Sequence, residues 1–145
     1  MDENLEILEY IYKTANMGHI SCENLITELK EKDNKIKTIL EEINKKYEHF
    51  EKESFKLLKK YKKEAKTPGI MAEVMSKMSI KKEVMNDNSD SSIASMLIEG
   101  LTMGNLELDK KINNYKGNVE KKNIKIAEDF KKYGETYIEK LKRYL

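Results

Sequence analysis

Apolar residues recur along this chain at alternating steps of three and four. The first series runs through Leu5, Leu8, Tyr12, Ala15, His19, Cys22, Ile26 and Leu29. Such spacing gathers all eight positions on one stripe of a helix, the seam by which a bundle helix meets its neighbours. It predicts a helix over 3–31. A second series, Ile36, Leu40, Ile43, Tyr47, Phe50, Ser54, Leu57 and Tyr61, predicts a helix over 34–65. A third covers 91–116 through Ala94, Ile98, Leu101, Asn105, Leu108, Ile112 and Tyr115. A fourth covers 118–144 through Val119, Ile126, Phe130, Tyr133, Tyr137, Leu141 and Tyr144.

The breaks between the series carry helix-ending chemistry. "EKDN" (31–34) interrupts the first pattern and offers Asp33 or Asn34 as the N-cap of the second helix. "TPG" (67–69) stops that helix, because proline lacks the amide an interior turn needs. Residues 66–90 then read as a crossover carrying a short helix over 70–85, with Met71, Met75, Met78 and Met85 on one face, before the polar loop "NDNSDSS" (86–92). Gly117 and Asn118 supply a helix stop and a new cap, hence a tight hairpin between the last two helices.

The helices also repeat. Moving the first forward by 86 residues lays "NMGHI" on "TMGNL", so that Gly18 meets Gly104, His19 meets Asn105, and Cys22 meets Leu108. Moving the second forward by 83 lays Tyr47 on Phe130, Phe50 on Tyr133 and Ser54 on Tyr137. Two nearly equal offsets describe two related helical hairpins joined by a long link, within one domain spanning 1–145. That pattern, with "MLIEGLTMGNLELDK" (96–110) and "YIEKLKRYL" (137–145), resembles the ferritin-like superfamily and its small bacterial four-helix proteins of uncharacterised role. The resemblance implies an all-α, ferritin-like four-helix bundle and says little about activity.

Composition agrees with helices and narrows the functions. Charged residues make up 37% of the chain and proline occurs once, as in long-helix proteins. The net charge is only +2. All but one of the 28 basic residues are lysine, whereas base reading favours the planar fork of arginine. No specific nucleic-acid partner is therefore expected; "KKYKK" (59–63) and 131–143 read as solvated faces laced with Glu–Lys pairs one turn apart. A single cysteine excludes an internal disulfide framework. "MDENLEILEY" has no apolar signal region, and no run of residues is apolar enough to cross a bilayer, so a cytoplasmic protein without membrane contact is expected. Abundant Lys, Asn, Ile and Glu suit an AT-rich bacterial genome.

The resemblance brings a metal question with it. Metal-binding ferritin-like proteins need a Glu-x-x-His on each of two helices. Here Asn16 stands three before His19, Lys46 stands three before His49, and the fourth helix has no histidine. The usual dimetal set is thus absent, and no cofactor is expected. A divergent site could still draw on His19 and Cys22, with sulfur from Met17 or Met103, or on Glu99. The plainer reading is a buried histidine bonded to Asn105 or a tyrosine, beside a cysteine acting as apolar filler. His49 reads as a surface residue.

Gly18, Gly100 and Gly104 fall near the helix midpoints, where glycine costs about 1 kcal/mol relative to alanine. They are expected to make room for Phe50, Tyr133 and Tyr137, forming with Met17, His19, Met103 and Asn105 a packed midplane or a small-ligand pocket. On that packing, Gly104→Leu is expected to cost several kcal/mol. No nucleophile–base pair or phosphate loop is visible, so a catalytic reading has little to stand on. The leading expectation is a bundle that acts by self-association, as a homodimer, or by binding a partner or small ligand. The methionine face of 71–85 would serve as core or as the association surface. The alternative is a divergent metal-binding or oxidoreductase protein using His19, Cys22 and Glu99.

Overall fold

The computed structural model describes residues 2–61, 87–115 and 117–145. They form four helices, α1 (Glu3–Glu28), α2 (Lys37–Lys59), α3 (Asp90–Tyr115) and α4 (Lys121–Leu141), followed by a 3-10 turn at Lys142–Tyr144. No strand occurs among the described residues. The expected crossover helix over 70–85 and its methionines lie outside them.

Each helix packs most extensively on its hairpin partner, α1 on α2 and α3 on α4, and the two hairpins meet through α1–α3, α1–α4 and α2–α4. Tethers at each end fix the directions. At one end the Asn34 amide donates to the Asn88 carbonyl (2.7 Å) and to the Asp90 carboxylate (3.0 Å). At the other, the Tyr115 hydroxyl bonds the Glu6 carboxylate, and Asn123 donates to both Asn4 and Tyr61 at 2.9 Å. The end of α2 and the start of α3 therefore lie at opposite ends of the bundle, and these two helices run in the same direction.

The core is a continuous apolar cluster. Leu8, Ala15, Cys22 and Leu29 of the first predicted seam are buried, and so are Ile7, Ile11 and Leu25, which that seam leaves out. α1 is thus buried over a wider face than one heptad stripe. On α2, Ile36, Leu40, Ile43, Tyr47 and Phe50 are buried as the spacing predicts. Leu58 is fully enclosed there, and Leu57 is only partly so.

The helix starts are closed differently from expectation. Neither Asp33 nor Asn34 caps α2; Ile36 occupies the cap position with no side-chain bond of its own. The Asp90 carboxylate, from the other hairpin, accepts from the amides of Lys35 (3.2 Å) and Ile36 (3.4 Å). Likewise α4 begins at Lys121, not at 118, and Asn118 is not its cap; the Glu120 amide donates to Asn4 Oδ1 at 2.8 Å. A helix start leaves amides unpaired, and here each hairpin supplies the acceptor for the other. Gly117 does sit at φ +97°, the left-handed conformation that glycine adopts without penalty, and it ends α3 as predicted. Among the described residues, no helix is long and apolar enough to cross a membrane.

Candidate functional site

Two features stand out, one inside the bundle and one at its rim. The first is an aromatic cluster between α2 and α4. Phe50 stands edge-on to Phe130 with centroids 5.0 Å apart, Tyr47 stands edge-on to Tyr133 at 5.4 Å, and Tyr137 lies 5.3 Å from Tyr133. Offset and edge-to-face pairs at such distances place the positive ring edge on the negative ring face. The Tyr133 hydroxyl donates to the Ile43 carbonyl and the Tyr137 hydroxyl to Glu42, both at 3.2 Å. Burial pushes Tyr47 and Tyr133 well above the ordinary phenol range, so both remain neutral in the folded protein.

Only Gly18 makes the room foreseen for it, and its occupant is Tyr47, not Phe50, Tyr133 or Tyr137: a Cβ there would fall 2.5 Å from the Tyr47 ring. Gly104 faces only the Thr14 methyl, and Gly100 opens on empty space. Gly134, which the periodicity did not single out, lies directly beneath the Asn105 amide. Met17 and Met103 are not midplane residues; they are 38% and 64% exposed. An overpacking penalty for Gly104→Leu therefore has no basis in this geometry. Met103 escapes the core because α3 turns Leu101, Asn105 and Leu108 inward, which leaves residue 103 on the opposite side.

The second feature is a polar ladder along the α1–α2 seam. Asn16 donates to Glu51 at 2.7 Å, His19 Nδ1 lies 3.4 Å from Glu48, and Asn44 donates to Glu23 at 2.9 Å. These rungs and the Tyr12–Phe55 ring contact (5.7 Å) share one antiparallel register, since 12 with 55, 16 with 51, 19 with 48 and 23 with 44 all add to 67. His19 is consequently not bonded to Asn105 or a tyrosine. Its Nδ1 lies 3.0 Å from Asn44 Oδ1 and within 4.0 Å of a carboxylate oxygen of Glu23.

The other sequence candidates separate from His19. Cys22 is 1% exposed, and burial, helped by the field of Glu23, pushes its thiol up to about 12. It is a filler in the core. Glu99 is exposed on α3. Asn105 is buried and donates to the Lys131 carbonyl of α4 at 2.9 Å. His49 is exposed, as expected, and lines a shallow groove of about 360 Å³ with Glu42, Lys45, Lys46 and Tyr137. The methionine face Met71, Met75, Met78 and Met85 lies outside the described residues. Glu23, Asn44 and Glu48 were missed because pairing across two helices depends on register, although their one-turn spacing (19 with 23, 44 with 48) was available in the sequence.

No protein-family model, curated protein or solved structure matches this chain.

Proposed function

We propose that this protein is a non-catalytic association module, a four-helix bundle of ferritin-like connectivity that pairs with a second copy of itself through the outer α1–α3 face. Parallel α2 and α3, as the end tethers set them, with a long stretch of sequence between them, are the arrangement that connectivity requires. The observation that carries the reading is where the large apolar side chains surface. Four are exposed among the described residues, and three of them, Met17 (38%), Met103 (64%) and Leu106 (56%), lie on α1 and α3. Gly100, open to solvent, and Gly104 lie within a turn of Met103. Flexible methionines beside small residues form a surface that can accept another helix closely. A two-fold dimer would place the same patch on both partners, with Glu99, Glu107 and Lys110 at its rim. The cytoplasm is the setting in keeping with this reading.

Light scattering and sedimentation over roughly 1–100 µM protein test the proposal. A dimer is expected, and Met103→Glu combined with Leu106→Glu should shift it to monomer by at least tenfold in dissociation constant. A wild-type chain that stays monomeric throughout removes the reading.

A further inference from the structure

The two hairpins correspond by the offsets 86 and 83, and this correspondence isolates one polar cluster. His19, Glu23 and Glu48 of the first hairpin correspond to Asn105, Asp109 and Lys131 of the second. In the second hairpin the structure supplies its own cation: Lys131 Nζ lies 2.8 Å from Asp109. In the first, the position of that lysine is taken by Glu48. Two carboxylates then face each other across the seam, and both lie within 4.0 Å of His19 Nδ1. The same location in the fold thus holds a built-in ammonium in one hairpin and an acidic, imidazole-bearing cradle in the other.

We propose that His19, Glu23 and Glu48 bind one divalent first-row transition ion, with zinc as its representative. One donor atom from each residue, an imidazole nitrogen and two carboxylate oxygens, all lie within 4.8 Å of one another. A tetrahedral ion with bonds of about 2.0–2.1 Å holds its ligands roughly 3.3–3.4 Å apart. His19 Nδ1 and Glu48 Oε1, at 3.4 Å, already meet that spacing. Glu23 Oε1 stands 4.0 Å from Nδ1, and its half-exposed side chain is free to turn toward the other two donors.

Asn44 is the positioning residue. It is buried, its Nδ2 donates to Glu23 Oε1, and its Oδ1 lies 3.0 Å from His19 Nδ1, within reach as a fourth oxygen donor. A mixed nitrogen–oxygen set suits zinc, manganese, iron or cobalt better than copper(I), which prefers sulfur. The cluster lies on the rim between α1 and α2 and is separate from the bundle centre, which aromatic rings fill. It is independent of the association face proposed above.

The test is zinc titration of the chelator-treated full chain by calorimetry, with the visible absorption of the cobalt(II) form reporting the ligand field. One zinc per chain is expected. His19→Ala and Glu48→Gln should each weaken it at least tenfold, and His49→Ala should leave it unchanged. Glu48→Lys, which copies the Lys131 arrangement, should abolish uptake while circular dichroism shows the helices intact. Absence of saturable uptake up to about 1 mM zinc overturns the proposal. So does uptake that His19→Ala leaves unaltered. Because uptake is counted per chain, neither result depends on whether the protein dimerises.

Discussion

A Cβ atom on Gly18 would come within 2.5 Å of the Tyr47 ring, whereas on Gly104 it meets the Thr14 methyl at an ordinary 3.4 Å, and on Gly100 it meets nothing. Alanine favours a helix interior over glycine by about 1 kcal/mol, so the three positions should respond with different signs. Gly18→Ala forces Tyr47 out of a tight ring cluster and is expected to lose about 1–3 kcal/mol. In the monomeric Met103→Glu, Leu106→Glu background, Gly100→Ala should gain about 0.5–1 kcal/mol, and Gly104→Ala should be neutral to favourable by a similar amount. Urea unfolding of the three variants checks the order. The glycines were conspicuous in the sequence as interruptions of good helix. Which of them faces a ring follows from the rotation of each helix, and a periodicity of three and four fixes that only to within a neighbouring residue. His19 illustrates the same gap. It falls on the predicted seam, but the burial of Ile7, Ile11 and Leu25 moves the centre of the buried face away from it and leaves it at the α2 edge.

At the scale of the element, the seams, the hairpin partners and the Gly117 turn were legible because they depend on local spacing and on one residue suited to positive φ. The helix starts were not. Asp90 closes α2 from 54–55 residues away and Asn4 closes α4 from 116 away, and no local cap pattern can announce a partner that folding delivers. Asp90→Ala should therefore cost about 1 kcal/mol, like the loss of an ordinary cap. Unlike such a loss, it should also weaken the link between hairpins, because Asn34 shares the same carboxylate. Faster amide exchange at the start of α2, together with a lower melting temperature, is the expected signature.

For the whole molecule, the neutral groups sealed in the core set an alkaline limit. Cys22 is held up to about 12 against an ordinary value of 9, and Tyr47 and Tyr133 are raised above theirs of 10. A raised folded value means that the unfolded chain loses its proton first. The contribution of these groups to stability is therefore whole below about pH 9 and declines as the pH climbs toward the folded values. Alkaline titration should show tyrosinate absorbance from the buried rings and loss of helical circular dichroism arriving together in one step. Ionisation of Tyr47 or Tyr133 themselves near pH 10 with the helices intact would contradict the enclosure described for the cluster.

The order of assembly follows from the ring cluster's division between distant parts of the chain. Tyr47 and Phe50 belong to the second helix, while Phe130 and Tyr133 belong to the last. On the ribosome the first hairpin can close early, yet its greasy inner flank stays wet until α4 emerges. A polypeptide released before residue 130 would keep that flank unshielded, because the rings that cover Tyr47 and Phe50 would be missing.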